Sequence, residues 1–213
     1  MPAGTSASSR RHSRHNINAR DDGDTPAWYS VNVGHIHIVA LTVETDFTNT
    51  SIQHAWLAKD LATVNRSHTP WVVVVLHRQV FTGGVFGGTL ADRMQRDLEP
   101  LLLHGKADLV VSGHVHSYLR VCAQKHGKCV NTTAGESAPA YVVDGTAGAF
   151  TGVSTNGEGY SCSLPQPPFS HPGIAARDCM WGWSRIRANR THLRWQHRRW
   201  LTGDIVDELI ITA

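Results

Sequence analysis

The residues best suited to chemistry in this sequence are three histidines that follow two short apolar runs. His77 comes directly after the run Val72 to Leu76. His114 and His116 follow the run Leu109 to Ser112, in the order Gly-His-Val-His. A neutral imidazole offers one nitrogen lone pair to a metal, and three such ligands suit Zn, Fe or Mn. The alternative is that each is an ordinary, partly buried histidine with a hydrogen-bond partner.

The two apolar runs are the elements that must position these histidines. Both are rich in β-branched residues and apolar on both faces, which is typical of central buried strands. Between them, residues 90–102 have helical spacing, Pro100 predicts a kink or a second helix start, and Gly105 suits a C-terminal cap. In an α/β sheet built by strand, helix and strand, ligands bind beyond the carboxyl ends of the strands. We therefore expect the three histidines to converge there, with Gly113 allowing the backbone to turn tightly.

The remaining pattern predicts an α/β domain. Alternation over residues 28–43 indicates a hairpin that turns at Gly34, and residues 53–65 have the spacing of a helix packed on a sheet. A strand is expected at Tyr141 to Asp144, and the proline-rich residues 152–180 indicate a loop. The chain then ends in an antiparallel meander, with strands expected at Trp181 to Ala188, Thr191 to Trp200 and Ile205 to Thr212.

These segments together resemble one known family. The run that ends in His77 and the Gly-His-Val-His segment look like the two C-terminal motifs of the calcineurin-like metallophosphoesterases, and more narrowly of the purple acid phosphatases. Supporting matches run from Trp28-Tyr29-Ser30-Val31 to the closing Val206-Asp207-Glu208, so the resemblance covers about residues 28–212. Residues from about 122 to 213 resemble the purple acid phosphatase C-terminal region.

The resemblance implies both a fold and an activity. The implied fold is a metallophosphoesterase-type α+β sandwich, incomplete here, with mixed β-sheets flanked by helices and a closing antiparallel meander. The implied activity is hydrolysis of a phosphate ester at acidic pH by Fe(III) and a divalent ion, which is Zn, Mn or Fe. In the family pattern, His77 and His114 bind the divalent ion and His116 binds the iron.

The family's other ligand motifs have no counterpart in this sequence. They are an Asp, a bridging Asp, a Tyr and a GNH[DE] motif, and all precede the segment that matches Trp28. Residues 1–27 are rich in Ser, Arg, His and Asp and are predicted to form a disordered polar tail, which leaves 28–213 as the C-terminal part of the domain. Without the bridging carboxylate, two cations about 3.5 Å apart repel each other.

An alternative function follows from those missing ligands. The chain would then be a non-catalytic secreted glycoprotein, or a truncated fragment, that keeps a partial metal site. Half a sandwich also exposes a sheet edge, which predicts an oligomer formed through that edge.

The four cysteines are an even number, which allows three disulfide pairings. The local pairing, Cys122 with Cys129 and Cys162 with Cys179, is favoured because Gly127 indicates a turn between short strands. No CxxC motif indicates a zinc site.

Four N-x-[ST] triplets add to the case for a secreted or vacuolar/lysosomal glycoprotein. They begin at Asn49, Asn65, Asn131 and Asn189. Residues 1–12 lack the apolar stretch of a secretory signal, which indicates that a front part is missing.

Charge and hydropathy exclude two further classes of function. The 213 residues carry a formal charge of only +3, too weak an electrostatic basis for nucleic-acid binding over the whole domain. No apolar stretch approaches the roughly 20 residues of a membrane helix, so no membrane partner is expected.

Overall fold

The elements of the chain are given by a computed structural model that describes residues 18–19, 27–81, 89–131, 137–147 and 173–213. The helices are α1 (Ile52–Thr63), α2 (Thr89–Asp97) and α3 (Glu99–His104). The strands are β1 (Asn18–Ala19), β2 (Tyr29–Val33), β3 (Ile36–Ala40), β4 (Trp71–Leu76), β5 (Leu109–Ser112), β6 (Tyr118–Val121), β7 (Gln124–Lys125), β8 (Lys128–Cys129), β9 (Ala140–Asp144), β10 (Ile174–Asp178), β11 (Gly182–Ala188), β12 (His192–Arg199) and β13 (Ile205–Thr212). Within the predicted tail, the structure describes residue 27 and β1. β1 pairs with β2.

Eight strands form one mixed sheet in the order β1-β2-β3-β4-β5-β9-β6-β10. The four central strands β3, β4, β5 and β9 are parallel neighbours, so their carboxyl ends share one edge of the sheet. The predicted hairpin is confirmed, since β2 and β3 are antiparallel and Gly34 between them has a φ of +57°. The predicted strand, helix, strand crossover from β4 to β5 is also confirmed, with α2 and α3 between the two strands.

The two faces of this sheet enter different cores, because side chains alternate along a strand. On one face, Val72, Val74 and Leu76 of β4 belong to a core that includes residues of all three helices. On the other face, Trp71 and Val73 belong to a core with residues of β12. Strands β11, β12 and β13 form a separate antiparallel sheet. The architecture is therefore a sandwich of one mixed and one antiparallel sheet, with helices packed on the mixed sheet, and it ends in the predicted meander.

The predicted loop at residues 152–180 is wrong for its last part. Residues 174–178 form β10, which pairs antiparallel with β6, while residues 152–172 lie outside the described residues. The β10 sequence, Ile-Ala-Ala-Arg-Asp, has no clear apolar alternation. Its strand conformation depends on hydrogen bonding to β6, which local sequence does not encode.

The helical segment before β5 is two helices, which settles the two possibilities left open at Pro100. Helix α3 begins at Glu99 with Pro100 in its first turn, where a missing N–H costs nothing. Gly105 is the C-cap of α3, but its φ of −74° is one that any residue adopts. A Cβ on Gly105 would lie 2.7 Å from Leu61 Cδ1, so the close approach of α3 to α1 explains the glycine.

A disulfide closes the hairpin of β7 and β8. Cys122 and Cys129 are bonded, which is the local pair that the sequence favoured. Cys179 is also disulfide-bonded. Cys162, its expected partner, lies outside the described residues.

Candidate metal centre

His77 and His114 lie together at the carboxyl edge of the large sheet. His77 follows β4 and His114 comes two residues after β5, and these two strands are parallel neighbours. His114 Nδ1 is 3.1 Å from His77 Nε2, and the ring centroids are 4.9 Å apart with the rings edge to face. The expected convergence of the two apolar runs is present for this pair of histidines.

Arg78 extends this contact into a hydrogen-bonded chain. Its Nη1 lies 3.2 Å from His114 Nε2, and its Nε donates to Glu44 Oε1 at 2.9 Å. Because a guanidinium can only donate, His114 Nε2 is the acceptor and the His114 proton is on Nδ1, facing the lone pair of His77 Nε2. The hydrogen bond from Arg78, with the nearby positive charge, holds the pKa of Glu44 below its usual range.

The loop that carries His114 and His116 is a tight turn between β5 and β6. The Val115 amide donates to the Gly113 carbonyl at 2.7 Å, and the Ser117 amide donates to the Val115 carbonyl at 2.8 Å. His114 has a φ of +62°, in the left-handed region that side chains disfavour. Gly113, whose freedom we expected to make the turn, has no positive φ. The strain of the turn is therefore at the candidate ligand itself, which is common where a chain holds a functional side chain.

Gly145, the residue after β9, packs against the loop between β5 and β6 and helps to hold it in position. Its amide donates to the Ser117 carbonyl at 3.2 Å. A Cβ on Gly145 would overlap the Val115 carbonyl oxygen and lie 2.8 Å from the carbonyl carbon. Only glycine allows the strand end to approach the loop this closely.

His116 is not brought into a cluster with the other two histidines. Its side chain is exposed, and over the described residues no group of three or more His, Cys, Asp or Glu side chains is arranged to hold a metal. Asp144 ends β9 at the same edge of the sheet, but its carboxylate accepts from Thr146 Oγ1 at 2.8 Å and lies 3.7 Å from His197 Nδ1. Burial raises the pKa of Asp144, but the interactions with His197, Ser184 and Thr146 outweigh burial and lower the pKa.

A buried polar network joins the eight-stranded sheet to the β11–β13 sheet. It lies next to the loop between β5 and β6. Tyr118 donates its hydroxyl proton to Asp207 Oδ2 at 2.6 Å, and Arg120 donates to both Asp207 oxygens at 2.7 and 2.8 Å. Trp195 Nε1 donates to the Tyr118 hydroxyl at 3.0 Å, and the His197 ring stacks on Tyr118 at 3.8 Å. Burial and the Asp207 charge raise the pKa of Tyr118, so its hydroxyl stays protonated as a donor. The network ties the start of β6, and with it the histidine loop, to β12 and β13.

The sequence pattern does not predict Arg78 and Glu44. Arg78 directly follows His77 in the chain, and this adjacency is the one signal that could have drawn attention to it. Glu44 is 34 residues away from Arg78, and nothing in the local sequence links the two.

His77 and His114 fit a single divalent cation in two respects. Two nitrogens that bind one zinc ion tetrahedrally at about 2.0–2.1 Å lie roughly 3.3 Å from each other. The observed separation is 3.1 Å, and imidazole is a suitable donor for Zn, Fe and Mn.

In a third respect the arrangement departs from a metal site. The second nitrogen of a metal-binding histidine normally donates to an acceptor. Arg78, beside His114 Nε2, can only donate, so a bound cation requires Arg78 to leave His114. Among the described residues, the arrangement thus offers two imidazole nitrogens at a spacing that suits one cation.

Two protein-family models match the chain. The calcineurin-like phosphoesterase model matches residues 11–118, which is about half of the chain and includes both apolar runs with their histidines. The iron/zinc purple acid phosphatase-like protein C model matches residues 138–208, which includes β11, β12 and the first half of β13.

Individual proteins that are similar to this chain carry the name purple acid phosphatase. Purple acid phosphatase 1 of Ipomoea batatas is 31% identical over 196 residues, covering 89% of this chain and 39% of that protein. A protein named probable inactive purple acid phosphatase 9, from Arabidopsis thaliana, is 37% identical over 123 residues, covering 57% of this chain and 19% of its own length.

A solved structure shows the same fold. Purple acid phosphatase PPD1 from yellow lupin, Lupinus luteus, superposes with a TM-score of 0.69 at 22% identity, covering 87% of this chain and 32% of that one. The chain thus spans about two fifths of the length of the curated relatives it matches. The histidines at the strand ends, the sandwich fold and both family models agree. The chain therefore belongs to the calcineurin-like phosphoesterase family and corresponds to the C-terminal portion of its purple acid phosphatase members.

Proposed function

We propose that this chain supplies the histidine-bearing part of a phosphate monoester hydrolase of the purple acid phosphatase type. The observation that carries the proposal is the pair His114 Nδ1 and His77 Nε2, 3.1 Å apart at the ends of adjacent parallel strands. The proposed cofactor is Fe(III) with a divalent Zn, Mn or Fe ion. His77 and His114 would hold the divalent ion and His116 the iron, and a bound cation supplies Lewis acidity toward a phosphoryl oxygen.

The chain's other residues would orient these ligands and the substrate. Gly145 and the Tyr118 network hold the loop that presents His114. Arg78 carries a planar guanidinium that matches phosphate oxygens in geometry and charge. When it leaves His114, it would bind the phosphate of the substrate next to the cation.

Replacement of His77 or His114 by alanine tests this function. We expect the protein produced in its native source, with its metals bound, to hydrolyse p-nitrophenyl phosphate near pH 5. Either substitution should lower the rate at least about 100-fold, because it removes one of the two ligands of the divalent ion. The exposed His68, on a turn after α1, offers a matched control. His68→Ala should leave the rate within about twofold of the wild type, as expected for an exposed side chain away from the site.

Metal content gives a second, independent measurement. Elemental mass spectrometry of protein purified from its native source should find two metal ions per polypeptide, one of them iron. One ion or none, together with no hydrolysis by the wild type, would exclude the two-metal hydrolase and leave the second candidate below.

The second candidate is a non-catalytic glycoprotein that keeps half a metal site. It is favoured by Arg78, which takes the His114 Nε2 lone pair and puts a positive charge 3.2 Å from a candidate ligand atom. One relative carries the word inactive in its name, which is a statement about that protein.

Arg78→Ala is expected to raise the affinity for Zn²⁺ by about tenfold, measured by isothermal titration calorimetry. The substitution removes a cation next to the site and lets water accept from His114 Nε2, as a metal-binding histidine requires. Arg190→Ala, which removes an exposed arginine on the turn before β12, should leave the zinc affinity unchanged. An equal or weaker affinity in the Arg78 variant would show that Arg78 does not oppose metal binding.

We also propose that the protein is glycosylated and is secreted or vacuolar. The supporting observations are the Cys122–Cys129 disulfide and the exposure of all four acceptor asparagines, Asn49, Asn65, Asn131 and Asn189. Over the described residues, no helix is both long enough and apolar enough to cross a membrane.

Self-association through a sheet edge is also proposed. It is supported by β11 and β13, each of which pairs on one side only within the part of the chain that the structure describes.

A further inference from the structure

The outer face of the β11–β13 sheet carries an unusual concentration of arginines. The cross-strand pairs Arg187 with Arg194, Arg185 with Gln196 and Trp183 with Arg198 place these side chains on one face, because paired residues point the same way. The inner face of the sheet packs on the large sheet through Leu193 and Trp195. We call the outer surface the arginine face, defined by Trp183, Arg185, Arg187, Arg194, Arg198 and Ile210.

Three of the four arginines on the arginine face have no carboxylate partner among the described residues. Glu208 lies on this face, and it accepts from Arg194 at 2.6 Å and from Gln196 Nε2 at 2.6 Å. No carboxylate in the described ranges pairs with Arg185, Arg187 or Arg198. Desolvation and the charges of Arg187, Arg198 and Arg194 lower the pKa of Arg185, so the cluster repels itself.

Two of these arginines also have unused donors. The Nε atoms of Arg185 and Arg198 are buried and have no hydrogen-bond partner. A buried donor without a partner costs free energy, which is recovered when the arginine side chain turns its donor toward a docked acceptor. Each of these two side chains therefore has donor capacity left for a carboxylate or phosphate oxygen.

The apolar part of the arginine face narrows the class of partner. Trp183 is 40% exposed and Ile210 is 52% exposed, and the Arg198 guanidinium lies 6.0 Å from the Trp183 ring centroid. Arginine and tryptophan are enriched at protein–protein interfaces and lysine is depleted there, and residues 173–213 contain no lysine. The carboxylate of Glu208 on β13, opposite Gln196 of the middle strand β12, would repel the phosphates of a nucleic-acid backbone.

We propose that the arginine face docks an acidic, amphipathic polypeptide segment, whose carboxylates pair with Arg185, Arg187 and Arg198 and whose apolar side chains cover Trp183 and Ile210. The charge and the apolar edges of the face together select such a segment over a uniformly charged polymer.

The test is fluorescence anisotropy with a labelled 18-residue peptide made only of Glu, Leu and Ala, compared with the same peptide carrying Gln for Glu. We expect the glutamate peptide to bind at least tenfold more tightly than the glutamine peptide, and more weakly at high salt. The double variant Arg185→Gln with Arg198→Gln should weaken binding at least tenfold. Lys59→Gln with Lys125→Gln, which removes two exposed charges elsewhere, should change it less than twofold.

Several results would overturn the proposal. They are equal binding of the two peptides, equal losses in the two double variants, and tighter arginine-dependent binding of a 20-nucleotide RNA or of phosphatidylserine vesicles. Because the double variant removes a hydrogen bond from Arg185 to Gln196, its folding is checked by circular dichroism. If it unfolds, Arg187→Gln alone, at an exposed side chain, gives the same comparison with a smaller expected loss of about threefold.

Discussion

Replacement of Asp207 by asparagine is expected to destabilise the protein by about 3–5 kcal/mol, the usual range when one partner of a buried ion pair is removed. Asp207 is 7% exposed and accepts from Tyr118 and twice from Arg120. The substitution leaves the Arg120 charge, whose side chain is 16% exposed, without its carboxylate. Thermal unfolding followed by circular dichroism should show a melting temperature lower by roughly 10 °C for a chain of this size.

The same variant should change how stability depends on pH. Burial raises the pKa of Asp207, but the hydrogen bonds from Arg120 and Tyr118 outweigh burial and lower it. A carboxyl whose folded pKa is depressed stabilises the protein above its unfolded pKa of about 3.9, and this contribution is lost as the pH falls through the folded value. The difference in melting temperature between wild type and Asp207→Asn should therefore be full at pH 7 and shrink below about pH 4.

The neighbouring Glu208 provides the control. It lies on the exposed face of the same strand, and its partner Arg194 has a side chain that is 44% exposed. Glu208→Gln should shift the melting temperature by no more than about 2 °C, as expected for a surface pair. A loss as small as this for Asp207→Asn, or a loss that stays constant down to pH 3, would show that the Asp207 network does not hold the sheets together.

The parts of the fold that were predicted correctly are those in which local burial sets the structure. The runs that lead to His77 and to His114 are apolar on both faces, and this composition is typical of a strand that is covered on both sides. β10 was missed because its residues form a strand only by pairing with β6, more than 50 positions earlier in the chain. The Asp207 network was not visible for the same reason, since Tyr118 lies 89 residues before Asp207.

The candidate site also has one part that the sequence predicts and another part that it does not. The proximity of His77 and His114 follows from the shared edge of parallel strands, so the sequence was sufficient to expect it. The bond from Arg78 to His114 depends on backbone conformation, with φ at +62° in His114, and on a long flexible side chain. No periodic pattern in a sequence encodes either of these.

Gly145→Ala is expected to destabilise the protein by about 3 kcal/mol or more and to displace the histidine loop. The added methyl group would overlap the Val115 carbonyl oxygen, and a backbone carbonyl cannot rotate away as a side chain can. The loop must then move away from β9, which breaks the bond from the Gly145 amide to the Ser117 carbonyl. We expect a melting temperature lower by roughly 10 °C and, in the same variant, a weaker affinity for Zn²⁺.

Gly113→Ala separates this steric effect from a general intolerance of change in the loop. Gly113 starts the Gly-His-Val-His segment, yet it has no positive φ and a Cβ there would meet only the His77 carbonyl oxygen, at an ordinary 3.9 Å. Its melting temperature should stay within about 2 °C of the wild type, or rise slightly because alanine lowers the entropy of the unfolded chain. If both variants melt like the wild type, β9 does not brace the loop. If both lose stability equally, the constraint belongs to the whole loop, and the close approach at Gly145 does not explain how His114 is held opposite His77.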